Sequence, residues 1–278
     1  IHYQPLPPTG TGELSVATQR GDFEYVELMN ISSDSIDLGL MILDSAVDFT
    51  FPFGTSLAPG GRIVLASNTG AFTERYGFAP FGEFSGNLND GGELVTVLES
   101  NGVTTIQSFT YGDDFPWPES ADGDGYSLVL IAPETNPAHD DPINWRSSVA
   151  IGGTPGWADA VEFAGDPNAD DNNNGVSNLL EHAMGGSALP LLSLQTLNVG
   201  GALEDQLVFS YQRNLSADDV TYKVEISKDL QNWVVLSAAE LDSSMNNGNG
   251  TVTEVWRAGV WPSVDTKCFV RLKVGMRQ

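Results

Sequence analysis

Between Asp170 and Glu181 the chain reads D-D-N-N-N-G-V-S-N-L-L-E, the one stretch in which residue type and spacing together specify a chemistry. Oxygen-bearing side chains at Asp170, Asn172 and Asn174 precede Gly175, Asn178 and Glu181 in the pattern D-x-[DN]-x-[DN]-G-x5-E, which wraps a calcium ion. A hard Ca²⁺ ion takes about six to eight oxygens. The stretch offers the Asp170, Asn172 and Asn174 side chains, the Val176 carbonyl, Asn178 directly or through water, and both oxygens of Glu181. Gly175 permits the sharp bend that carries the chain around an ion. Only Asp170 and Glu181 bring formal charge, so the expected affinity is weak, on the order of 10⁻⁴–10⁻³ M. A polar linker that binds nothing would use the same residue types.

Other chemistries find less support. His2, His139 and His182 share no metal-ligand spacing, and no G-x-S-x-G elbow, P-loop or dinucleotide fingerprint occurs. Asp113 and Asp114 beside Trp117 are the acids a glycosidase reading would choose, because aromatics stack on sugar rings, although adjacent acids in a Gly/Pro loop are ordinarily solvated. Asp122 and Asp124, in D-G-D-G, resemble half a cation loop without its closing Glu, and a turn explains them equally well. Trp117, Trp256 and Trp261 are the candidates for an exposed binding face, with packing the default for each. Trp145, Trp157 and Trp233 read as core or interdomain plugs. The expectation is therefore a protein with no catalytic residues and calcium as its one cofactor.

The elements that must hold the loop follow from periodicity. Residues 176–184 should form the leaving helix, with Leu179, Leu180 and Ala183 on one face and Gly185-Gly186 as its stop. An entering turn of helix is expected over residues 158–164, cramped by Pro167. On either side the chain is strand-like, with short apolar runs separated by turns at about the 8–12-residue spacing of a sandwich. The strand over residues 23–29 should bury Phe23, Tyr25 and Leu28 and turn Glu24 and Glu27 to solvent. Residues 69–77 are the one helical stretch on the way, and Asn101-Gly102 marks a hairpin. Beyond residue 190, strands are expected over 206–213, 221–227, 233–237, 251–257 and 267–274.

Composition sets the outer bounds. The chain has 278 residues with 41% hydrophobic content, 30 Gly and 15 Pro, which fits one to three turn-rich, all-β domains. Its net charge of −25 is uneven: residues 1–158 hold 21 acids against 4 bases, residues 159–189 hold 6 against none, and residues 190–278 hold 10 against 8. Such a surface repels phosphate backbones, so no direct nucleic-acid partner is expected. The single Cys268 makes no intrachain disulfide and reads as a small buried hydrophobe. No apolar run is long enough for a membrane span, and no signal sequence opens the chain at Ile1-His2-Tyr3, as expected of a processed or excised protein.

Several short phrases in order carry a family resemblance. They are Y-V-E-L-M-N (25–30), D-L (37–38), F-T-F-P (49–52), L-A-P-G-G-R-I-V-L-A (57–66), L-N-D-G-G-E-L (88–94), D-G-D-G-Y-S-L (122–128), N-W (144–145) and G-T-P-G (153–156). Together they resemble a bacterial lamin-tail domain over about residues 12–158. That resemblance implies an immunoglobulin-like β-sandwich, found as a non-catalytic module in exported multidomain proteins. Leu40 stands near the place where the family commonly carries a Trp. The 170–181 loop with its single leaving helix resembles an EF-hand or dockerin-type loop, and S-N-L-L-E-H-A-M-G resembles calcium-loop linkers of large exported proteins of aquatic bacteria. Y-K-V-E-I-S-K-D-L-Q-N-W (222–233) resembles the strand-turn-strand of a fibronectin type III-like sandwich with its Trp in the core.

The expected organisation is thus all-β, with two immunoglobulin-like sandwiches at 1–158 and 190–278 joined by a calcium-loop linker at 159–189. The expected function is a calcium-stabilised binding, adhesion or spacer module at the cell surface or outside the cell. Its partners would be a carbohydrate or protein ligand and the other domains of a parent chain. The alternative is a substrate-binding appendage or fragment of a secreted hydrolase.

Overall fold

The strand Tyr25–Met29 (β1) shows how the first half of the chain is layered, because both of its faces are covered. Val26 joins Leu43, Phe51, Leu65, Val95 and Phe109 in the main core, whereas Tyr25 joins Val64, Ala66 and Phe72 in a second cluster under a helix. The computed structural model describes residues 1–259 and 267–277. Trp261 lies outside them. Packing divides the chain into two units, Ile1–Asp159 and Ala160–Gln278.

In the first unit α1 (Gly10–Val16) precedes β1. Then come β2 (Ile36–Asp37), β3 (Ile42–Ser45), β4 (Val47–Thr50), β5 (Ser56–Leu57), β6 (Arg62–Ala66), α2 (Thr69–Tyr76), β7 (Gly82–Glu83) and β8 (Ser85–Gly86). The hairpin β9 (Leu94–Leu98) and β10 (Thr105–Thr110) is followed by β11 (Leu128–Leu130) and β12 (Trp145–Ser147). A five-stranded sheet of order β10-β9-β3-β4-β8 and a three-stranded sheet β1-β6-β7 both contribute to the main core, which makes the unit a β-sandwich. The hairpin forms at Asn101, whose Oδ1 accepts the Val103 and Thr104 N–H groups at 2.8 Å. The expected helix over 69–77 is α2, capped by the Asn68 side chain and stopped by Gly77 in the left-handed region.

One expectation for this unit needs correction. Glu24 is buried, at 4% exposure, because covering both faces of the sheet leaves no solvent side for it. His2 is buried, bridged to Tyr25 and packed edge-on against its ring. Leu40 takes φ +64° in the turn between β2 and β3. The loop residues that close the unit are fixed: Asp159 accepts from Arg146 at 2.6 Å, from the Val149 N–H at 2.9 Å and from Thr154 at 3.2 Å.

The second unit holds α3 (Asn178–Met184), β13 (Leu191–Val199), β14 (Ala202–Asn214), β15 (Val220–Ser227), β16 (Trp233–Val235), β17 (Leu241–Asn246), β18 (Thr251–Gly259) and β19 (Phe269–Met276). Among the described residues its strands make a four-stranded sheet, β13-β14-β18-β17, and a three-stranded one, β16-β15-β19. Phe209, Tyr211 and Trp256 from the first sheet meet Val224, Val270 and Leu272 from the second, a sandwich core. Trp256 is therefore buried, at 8% exposure, not part of a surface platform. Trp233 is not a core residue: it lies half-buried on the short β16, with the Arg271 guanidinium 3.9 Å from its ring centre. β13 and β17 were not among the expected strands. The fold class is all-β throughout.

Candidate metal site

The 170–181 loop belongs to the second unit, and its surroundings explain its shape. No entering helix forms over 158–164. Gly165 at φ +119° and Pro167 break helical geometry, and the segment instead runs extended, donating Val161 N–H to the Ser216 carbonyl and Phe163 N–H to Asp219. The leaving helix forms as α3, two residues shorter at its start than expected, and Gly185 ends it at φ +67°. Ala183 and Met184 are buried. Ala183 and Leu179 pack on Ala217, Val220 and Tyr222. The Tyr222 hydroxyl donates to the Ala183 carbonyl at 2.7 Å, and the Asn214 amide donates to the His182 carbonyl at 2.8 Å. The exit of the loop is thereby fastened to β14 and β15.

Within the loop the backbone N–H groups turn inward onto side-chain oxygens. Asp170 accepts Asn174 N–H at 3.0 Å and Gly175 N–H at 2.8 Å, Asn172 Oδ1 accepts Asn174 N–H at 3.1 Å, and Asn174 Oδ1 accepts Val176 N–H at 2.8 Å. Gly175 takes φ +87°, with nothing within 4 Å of the position a Cβ would occupy, so its requirement is conformational and not steric. Glu181 reaches back from the helix: its Oε1 accepts from Asn172 at 2.9 Å and from Asn174 at 2.6 Å, and its Oε2 accepts from Asn172 at 3.1 Å. Asp170, Asn172, Asn174 and Glu181 are thus linked in one hydrogen-bonded group. Val176 contributes a buried side chain beneath it.

Asn178 is placed differently. Its Oδ1 accepts Asp171 N–H at 3.2 Å and its amide donates to Asp171 Oδ2 at 3.0 Å, so it braces the outer side of the loop. Asp171, which the spacing treats as a bystander, is its partner. Among the described residues no group of three or more His, Cys, Asp and Glu side chains is placed to hold a metal. The oxygen set of the loop is instead two carboxylates completed by amides and a carbonyl, which matches hard-cation chemistry and not transition-metal chemistry.

Asp219 was not legible as part of this site. It lies 2.9 Å from His182 Nε2 and also takes the Phe163 N–H at 2.5 Å, tying the segment entering the loop to the helix leaving it. No local spacing joins residues that far apart in sequence.

The remaining candidates do not assemble into a second site. Trp117 packs against the main core and 6.0 Å from the Trp145 ring, and its backbone N–H donates to the Asp114 carbonyl at 3.0 Å. Asp122 accepts from the Gln4 side chain. His139 lies 5.0 Å from the Phe109 ring in the same aromatic cluster. Trp157, read as a plug, is 73% exposed.

With this geometry in place, the chain can be set among known proteins. The class defined is an all-β protein of two sandwich units, one with a docked oxygen-rich loop. Residues 7–113 match the Lamin Tail Domain family, an immunoglobulin-like fold, and this segment runs through β10 of the first unit. No curated protein and no solved structure matches the chain.

Proposed function

We propose that the chain is a non-catalytic binding or spacer module of an exported multidomain protein, and that calcium held in the 170–181 loop stabilises its second unit. The observation that carries this reading is the gathering of Asp170, Asn172, Asn174 and Glu181 around one bend with Gly175 at φ +87°. In it Asp170, Asn172, Asn174, the Val176 carbonyl and Glu181 hold the ion, while Asn178 and Asp171 brace the loop from outside. Calcium supplies binding energy to the folded state and no reaction chemistry, adding RT ln(1 + [Ca]/Kd) to stability. Because α3 is hydrogen-bonded to Tyr222 and Asn214, that energy reaches the sandwich through the helix.

The lamin-tail match over residues 7–113 supports the modular, non-catalytic part of the reading. Among the described residues no helix is long and apolar enough to cross a membrane. The surface ligand would be a carbohydrate or a protein, and a glycan array addresses the first. Calorimetric titration with calcium tests the site: heat of binding is expected from the native chain and not from Glu181→Gln. The same affinity in both would remove Glu181, and with it the proposed site.

A further inference from the structure

The four-stranded sheet of the second unit overhangs the three-stranded one. Leu192 and Leu194 of β13 pair with Phe209 and Leu207 of β14, so they lie on the face that carries the core. Phe209 is 6% exposed, but Leu192 and Leu194 are 50% and 62% exposed. The core face simply continues one strand further than its cover. Leu191, on the opposite face, is 71% exposed.

β13 is also a sheet edge without the usual protections. It pairs with β14 in an unbroken register from Leu191 to Val199, with no bulge, and among the described residues no strand pairs with its other side. Residues 187–203 contain no Asp, Glu, Lys or Arg, in a chain of net charge −25. Natural edges of this length are ordinarily blunted by charge, proline or a bulge.

We infer that β13 is a homodimerisation edge, pairing antiparallel with β13 of a second copy about a two-fold axis at Leu194. Such an interface must be self-complementary. An axis at Leu194 sets Leu191 opposite Leu197, Leu192 opposite Thr196 and Leu194 opposite its own copy. An axis one residue later would set Leu192 against Asn198, Leu194 against Thr196 and Leu197 against Ser193, three apolar–polar pairs where the axis at Leu194 leaves only Leu192 against Thr196. The chosen register joins two four-stranded sheets into one and brings the overhanging leucines of both copies side by side, so each covers the other.

The pairing of Leu191 with Leu197 and of Leu194 with its own copy favours a second copy as the occupant, and charge permits it. Two strongly anionic chains can approach only where acids stay apart, and the charge-free edge provides that place. The acid of the neighbouring strand nearest to Leu194 in register, Asp205, is held by Thr196 at 2.7 Å. With strands about 4.8 Å apart and about 3.4 Å per residue, the two Asp205 groups would stand about 20 Å apart. That separation is about two and a half times the screening length of about 8 Å at physiological salt.

The test is sedimentation of the 278-residue chain from about 1 to about 200 µM at constant calcium. A reversible dimer is expected, and Leu194→Lys should raise its dissociation constant at least tenfold with the circular dichroism spectrum unchanged. Should that variant misfold, oxidation of Leu194→Cys in a Cys268→Ser background gives the second reading. It should yield a covalent dimer, whereas Thr196→Cys in the same background should not. A chain that stays monomeric at the highest concentration overturns the inference, as does a dimer indifferent to Leu194→Lys or a covalent dimer formed only at residue 196.

Discussion

Replacing Glu24 by Gln should stabilise the first unit, an uncommon outcome for a buried polar residue. Glu24 is 4% exposed and its Oε2 accepts the Leu88 N–H at 2.8 Å. Burial pushes its pKa up from 4.5 to about 7; the Leu88 N–H and Arg20 oppose the rise, and the charges of Asp90 and Glu93 add to it. The folded state therefore holds this proton more tightly than the unfolded chain. The stability it contributes is complete below about pH 4.5 and is lost as pH rises through about 7. At about 1.4 kcal/mol per pKa unit the full swing is roughly 3 kcal/mol, an upper limit for a single group. Gln keeps an oxygen for the Leu88 N–H and carries no charge. Urea unfolding of both proteins at pH 5 and pH 8 reads the effect. Glu24→Gln should be close to the native chain at pH 5 and about 1–3 kcal/mol more stable at pH 8. A variant less stable than the native chain at pH 8 would show that the carboxylate is ionised and needed, and would refute the reasoning.

Within the loop, Asn172→Ala or Asn174→Ala should weaken calcium binding about tenfold or more, and Asn178→Ala only a few-fold, as measured by titration calorimetry, because the first two residues touch Glu181 and the third touches Asp171. Gly175→Ala should cost about 1–2 kcal/mol in urea unfolding of the second unit, from the left-handed backbone alone, since no neighbour stands in the way of a methyl group. Asp159→Ala removes an acceptor shared by the buried Arg146, the Val149 N–H and Thr154, and should destabilise the first unit by about 3–5 kcal/mol; a loss under about 1 kcal/mol would mean the Arg146–Asp159 pair is dispensable.

What could be read from the residues was governed by locality. The Asn101-Gly102 turn, α2 with its Gly77 stop, and the end of α3 at Gly185 depend on neighbours in sequence, and each formed as expected. The second unit's β17 was missed because D-S-S-M-N lacks apolar alternation; its pairing with β18 supplies what its own sequence does not. Glu24 was misread because alternation assumes one wet face, whereas its own side of the chain meets Leu88 and the main core while α2 covers the Tyr25 side. The loop's ligand-type residues were visible from spacing. The bracing by Asp219 and Tyr222 was not, because it arises where β15 passes beneath α3. Trp157 and Trp256 exchanged their expected settings because flanking residues say little about which side chains meet a core: Trp256 lies on the inner face of β18, and Trp157 closes a turn with the Thr154 carbonyl and stays exposed.

The proposal that calcium stabilises the second unit is tested most directly by differential scanning calorimetry of the chain in about 10 mM calcium and in excess chelator. With a dissociation constant on the order of 10⁻⁴–10⁻³ M, linkage gives about 1.4–2.7 kcal/mol and raises the second unit's transition by roughly 5–10 °C, with no rise in Glu181→Gln. Identical transitions with and without calcium in the native chain would contradict the account.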